Sequence, residues 1–235
     1  MMWKVVAAII NLRLTASITY HNFIHRFRAG CGTCTATLEA KILQQLADMR
    51  EDVLYVIFLD LQNSYHALDR SRCIEILKGY GVGPRAWRLL RTYWGKMTMV
   101  AKAGGYYGDA FKGARGVTQG KPLSPTIFNV VVDVLVRHWV TMALDKVEKR
   151  GERGKEVRHQ ADLSYAGDGM VAPSNPHWLQ CAFNALFGLF KRMGLRTNVG
   201  KTVSMVCIPC QATGNKSEAA YGRKMTGEGP TYWER

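Results

Sequence analysis

The stretch FLDLQNSYHALD, residues 58–69, decides how the chain is read. It closes the apolar run DVLYVIFL, residues 52–59. A continuous run of β-branched and apolar residues is the pattern of a strand buried on both faces. Asp60 ends the run, and a carboxylate at the end of a buried strand is costly unless it is paired or bound to a metal. On this residue alone a metal ligand and a helix N-cap for the following segment are equal readings. Tyr65 follows, either as a core aromatic or as part of a site. Outward from this stretch lie YAGD, residues 165–168, and VTQGKPLSPTIFN, residues 117–129. Asp168 stands in a second short strand-like segment. Two carboxylates at the ends of adjacent strands are what a site holding two metal ions about 3.5–4 Å apart requires.

The rest of the chain supplies helices around these strands. Trp3–Tyr20 reads as helix, with Val5, Val6, Ile9, Ile10 and Leu12 near helical spacing. Gly30 and Gly32 break the chain, and Thr35 or Thr37 caps a helix whose buried face is expected to be Leu38, Ile42, Leu43 and Leu46. Ser71–Trp94 reads as a helical pair turned by Gly79, Gly81, Gly83 and Pro84. Arg85, Arg88 and Arg91 recur at spacing three, as a solvated face or a phosphate-contacting stripe. Thr98–Gly116 alternates and reads as a glycine-turned β-hairpin. Gln119-Gly120 opens a turn in which Pro122 and Pro125 set up a helix through Val130–Trp139. Residues 146–159 read as a charged connector. Trp178–Met193 is amphipathic, with Leu179, Phe183, Leu186, Phe187 and Phe190 on its core face. Residues 211–235 read as a flexible tail with no packed element.

Composition narrows the class. The chain has 235 residues, 47% of them hydrophobic and 21% charged, which is globular rather than disordered. A formal charge of +14 favours a polyanionic partner. No run approaches the roughly 18–20 apolar residues of a membrane span, and Val5–Ile10 is short for a signal sequence. Two C-x-x-C pairs, Cys31/Cys34 and Cys207/Cys210, lie at opposite ends of the chain with no histidine at zinc-finger spacing. Free thiols in an intracellular protein are the simpler reading, because a shared zinc would need the fold to bring the two ends together.

The three stretches, in this order, resemble the palm of a reverse transcriptase of the group II intron and non-LTR retrotransposon type. QGKPLSPTIFN matches every fixed position of that family's Gln-Gly-x-Pro-Leu-Ser-Pro-x-x-Phe-Asn. GLRTNVGKT, residues 194–202, is similar to its Gly-Leu-x-x-Asn-x-x-Lys-Thr. Phe27, Arg28, Gly30 and Thr33 match its Phe-Arg-x-Gly-Arg-x-Thr element, with Cys31 at the second Arg. The resemblance implies an α+β polymerase palm: an antiparallel sheet backed by helices, with partial fingers and no thumb. It implies partial fingers over residues 1–50, then a palm over 51–210 with a fingers insertion near 70–116.

The implied activity is RNA-templated DNA synthesis from an RNA template, a DNA primer and deoxynucleoside triphosphates. Two Mg²⁺ ions would be held by Asp60, the Leu61 carbonyl and Asp168. Tyr65 would lie under the incoming sugar, Gln119 and Gly120 would cradle the template base and nucleotide, and Lys201 would face the leaving phosphate. In the family the third stretch reads Tyr-x-Asp-Asp, and here the first aspartate is Gly167. His66 and Lys121 also depart from the common pattern. This copy is therefore expected to be a truncated, mutated remnant with little or no polymerase activity. The alternatives are a non-catalytic nucleic-acid-binding module and a chain with no selected role.

Overall fold

A computed structural model describes residues 2–118, 120–149, 161–165, 168–172, 175–209 and 219–224. Seven helices and eight strands are found among them: α1 Met2–Ser17, α2 Thr33–Arg50, β1 Leu54–Gln62, α3 Ser64–Ala67, α4 Arg70–Gly79, α5 Pro84–Lys96, β2 Met99–Ala103, β3 Tyr106–Phe111, α6 Leu123–Lys149, β4 Ala161–Tyr165, β5 Asp168–Ala172, α7 Pro176–Arg192, β6 Arg196–Thr197, β7 Val203–Cys207 and β8 Ala219–Lys224. The expected α+β class is what the chain adopts. The main sheet runs β4-β5-β1-β7-β8, with β6 paired to the far end of β1, and every pairing is antiparallel.

From Leu54 onward the run does form the central strand, because packing reaches both of its faces: Ile57 and Leu59 lie in the core with α6 and α7, and Leu54 and Val56 in a second cluster with Ala47 of α2. Leu54, Val56, Ile57 and Leu59 are buried, while Phe58 is 42% exposed, so burial on the open face is incomplete. Helices α6 and α7 pack behind the sheet in one core with α1, α4 and α5. α6 is apolar nearly all round its first half, from Leu123 through Trp139, and Val130, Val131 and Trp139 are almost wholly inaccessible. α1 shares this core through Ile10 and Leu14. Among the described residues no helix is long and apolar enough to cross a membrane.

Several expectations change. Asp60 does not end β1, which continues to Gln62. Nor does it cap a helix: Asn63 is the residue before α3, in a left-handed conformation at φ 45°, and Asp69 caps α4 by accepting from the Ser71 and Arg72 amides. α2 begins at a Gly32 cap, and Thr35 works from inside the helix, its hydroxyl bonding both the amide and the carbonyl of Gly32. The face of α2 that packs is Ala40, Leu43 and Ala47. Leu38, Ile42 and Leu46 are exposed, because small residues let the helix seat closely on the lower corner of the sheet. Phe187 of α7 is exposed in the same way. α6 runs on to Lys149, so the first four residues of the expected connector at 146–159 are helical, and residues 150–160 lie outside the described residues. Within the expected tail, residues 219–224 form β8 on β7.

Candidate active site

Four segments meet at the upper end of β1. The register of β1 with β5 makes Asp60 and Asp168 direct Cα partners. Residues opposed in an antiparallel ladder have Cα atoms about 4.5–5.5 Å apart. The β4–β5 register pairs Tyr165 with Asp168, so Asp168 lies between a partner on β4 and Asp60 on β1. Gly167 and the side chain of Asp168 lie outside the described residues. Asp60 is half-buried, and no described residue hydrogen-bonds or ion-pairs with its carboxylate. Among the described residues no three His, Cys, Asp or Glu side chains gather to hold a metal. A half-buried carboxylate with unspent oxygens fits a hard cation, which takes oxygen ligands. The described side chains supply one such group.

On the other side of β1, Leu61 and Gln62 pair with Thr197 and Arg196. The Asn198 amide donates to the Asp60 carbonyl at 2.7 Å. Asn198 in turn accepts from the amides of Lys201 and Thr202, at 3.1 and 2.9 Å. This turn fixes the exposed Lys201 close to the Asp60 backbone. The family-like GLRTNVGKT segment is thus clipped to β1 by main-chain bonds, with its lysine in solvent.

Tyr65 rises from the short α3. Its ring stacks on Phe128 of α6, with centroids 4.9 Å apart and planes 20° from parallel. Its carbonyl accepts from the Val117 amide, and that of Leu68 from the Gly116 amide. These bonds tie the segment after Asp60 to the start of the Gln-Gly turn. Burial raises the Tyr65 phenol above its ordinary pKa, opposed by the nearby Arg26 cation. Gly120 sits at φ 77° with open space where a Cβ would be, so conformation and not crowding favours glycine there. Gln119 lies outside the described residues.

Sequence reasoning passed over two residues. Arg26, one position before the Phe-Arg element, lies near Tyr65, and its carbonyl accepts from the buried Asn129 amide. The clue was Asn129 itself, a polar residue within the buried half of α6 that required a partner. Gly116 is the second: at φ 81°, a Cβ there would stand 2.6 Å from the His66 backbone. Arg28, by contrast, reaches to the His21 carbonyl at 3.4 Å, within its own loop.

Comparison with known proteins agrees with this assembly. The sequence profile of the family described as Reverse transcriptase (RNA-dependent DNA polymerase) matches residues 1–226. The chain is 26% identical over 198 residues to the retrovirus-related Pol polyprotein of the type-2 retrotransposable element R2DM from Drosophila melanogaster. That match covers 83% of this chain and 18% of the polyprotein. Among solved structures, apo telomerase from Candida tropicalis, truncated from its C-terminal domain, superposes with a TM-score of 0.62 at 18% identity, over 86% of this chain and 40% of that one. Telomerase from Candida albicans, in complex with a fragment of telomeric RNA, gives 0.60 at 15% identity, over 85% and 34%. The chain therefore spans well under half the length of these relatives, and the structural likeness establishes a palm-type polymerase fold. With its profile matched over nearly the whole length, the chain belongs to the reverse transcriptase family.

Proposed function

We propose that the chain is a palm built for RNA-templated DNA synthesis, in which the primer 3′-hydroxyl attacks the α-phosphate of a deoxynucleoside triphosphate and diphosphate leaves. The observation that carries this reading is the β1–β5 register, which sets Asp60 opposite Asp168. Asp60, the Leu61 carbonyl and Asp168 would hold Mg²⁺. When bound, such ions lower the pKa of the attacking hydroxyl and neutralise charge on the transferring phosphate. Tyr65, whose ring stacks on Phe128, would lie beneath the incoming sugar and exclude a 2′-hydroxyl by its bulk. Gln119 and Gly120 would cradle the template base and the incoming nucleotide. Lys201 faces the leaving diphosphate as a counter-charge or proton donor.

Gly167 sets the level of activity. It brings no carboxylate to the position that bridges both ions in the family. Loss of a principal electrostatic group costs on the order of 10²–10³ in rate, and a bridging ligand at least that. Primer extension on an RNA template with Mg²⁺ or Mn²⁺, comparing the native chain with Gly167→Asp, tests this. Extension by Gly167→Asp alone is the expected outcome. Extension by the native chain at a comparable rate overturns the impairment, and extension by neither overturns the polymerase reading.

A second reading, a nucleic-acid-binding module without chemistry, is favoured by the β2–β3 hairpin. All of its residues are exposed save Met99. Tyr106, Tyr107 and Phe111 lie open to solvent, and the Lys102 ammonium sits 5.1 Å from the centre of the Tyr107 ring. Exposed aromatics beside cations are the equipment for stacking single-stranded bases.

A further inference from the structure

α2 is apolar on two sides. Ala40, Leu43 and Ala47 seat it on the sheet, against Leu54 and Val56 of β1. The opposite side carries its larger apolar residues, Leu38, Ile42, Leu46 and Met49, all open to solvent and Met49 80% exposed. A surface helix ordinarily turns one apolar stripe inward and a polar face outward. A second stripe, bulkier than the first, marks a surface that meets another body.

The spacing of that stripe says what kind of body. Leu38, Ile42, Gln45 and Met49 recur at intervals of four, three and four residues, which is the seam of a two-helix coiled coil. From Leu38 to Met49 the seam runs about 17 Å. Lys41 and Asp48 border it on one side, seven residues apart and opposite in sign. Neither side chain hydrogen-bonds or ion-pairs with another described residue. On the other border Glu39 is already committed, with its carboxylate 3.2 Å from the ring of buried His25.

These two charges choose the occupant and its direction. In a parallel pair of α2 helices, Lys41 would border Leu46 of the second helix and no opposite charges would meet. In an antiparallel pair each border meets its own counterpart, so Lys41 of either copy faces Asp48 of the other, twice over. A surface complementary to itself in this way is what a two-fold interface requires. The layers of the seam are then Ile42 with Gln45 and Leu38 with Met49. Gln45, polar and near the centre, fixes the register at some cost in stability. Positions 54, 56, 58 and 60 of β1 share one face of the sheet, so α2 and Asp60 stand on the same side.

We propose that the outer face of α2 binds a second copy of this chain through a two-fold, antiparallel helix pair. The proposal does not depend on the polymerase reading. So short a seam buries less than the roughly 1,600 Å² of a standard interface, and the dimer is therefore weak. Sedimentation equilibrium of the full chain at physiological salt, from about 1 to 300 μM, tests it. The native chain is expected to pass from monomer to dimer within that range. Ile42→Glu/Met49→Glu is expected to stay monomeric throughout. Val5→Glu/Leu12→Glu places the same charges on exposed apolar positions of α1 and is expected to associate like the native chain. Lys41→Asp and Asp48→Lys are each expected to weaken association about tenfold, because two pairs turn from attraction to repulsion. Mixing these two variants is expected to restore it, since every pair across the mixed dimer again unites opposite charges.

Equal loss in the α1 and α2 double variants would mean unselective apolar association and would overturn the pairing. Failure of the mixture to exceed its separate components would overturn the antiparallel arrangement. A native chain monomeric at every concentration would overturn the dimer. Co-sedimentation with phosphatidylserine vesicles, lost in Ile42→Glu/Met49→Glu, would then assign the face to a lipid surface instead.

Discussion

Gly116 carries more of the site than its sequence context reveals. Its amide holds the Leu68 carbonyl, its φ of 81° belongs to the left-handed region, and a Cβ would meet the Cα and carbonyl oxygen of His66 at 2.6 Å. Gly120 shares the conformation but not the crowding. Gly116→Ala is therefore expected to cost about 2–4 kcal/mol, from left-handed strain together with a backbone clash. Gly120→Ala is expected to cost about 1–2 kcal/mol, from strain alone. Urea unfolding of both variants checks the difference, and equal losses would show that the segment after Asp60 yields easily. Crowding of this kind comes from a segment some fifty residues away in the chain, so Gly116 looked no different in sequence from the loop glycines around it. Asp60, Tyr65 and Gly120 were legible because each stands inside a motif whose neighbours specify it. Arg26 and Gly116 were not, because their importance comes from what the fold lays against them.

At the scale of elements, α6 organises the interior and Asp133 is its polar centre. This carboxylate is fully buried. It accepts from the Tyr80 hydroxyl at the end of α4, the His21 amide in the loop after α1, and Arg137 one turn along α6. Burial, aided by this carboxylate, raises the Tyr80 phenol and pushes that of Tyr20 up to about 12. Asp133→Ala would leave the Tyr80 hydroxyl and the His21 amide without their acceptor, beside an Arg137 that is half exposed and can turn to water, and a loss of about 2–4 kcal/mol is expected in chemical denaturation. Tyr80→Phe removes a single donor and is expected to cost about 1–2 kcal/mol. The hydrophobic periods of α4, α6 and α7 were readable because each buries a broad stripe. α2 misled because its larger apolar residues, Leu38, Ile42 and Leu46, face solvent while two alanines and Leu43 make the contact. Periodicity marks which side is apolar, and residue size decides which side can seat. β8 was not legible either: AAYGRK has little apolar alternation, and its pairing is supplied by the free edge of β7.

Across the whole molecule, charge and topology act together. With +14 distributed over 235 residues, affinity for RNA or a primer–template is expected to fall about tenfold or more between roughly 50 and 200 mM salt. Filter binding across that range checks this, and a flat salt response would argue against phosphate contacts as the source of affinity. The order of the sheet has another consequence, which concerns time rather than energy. β1 emerges early in synthesis, but its partners β5, β6 and β7 are all made in the last third of the chain. A long apolar strand must therefore wait, with both edges unpaired, while a hundred further residues leave the ribosome. Strands left open in this way are prone to pair with other chains. The rate of translation between residues 62 and 203 thus bears directly on how much of the product reaches its native state.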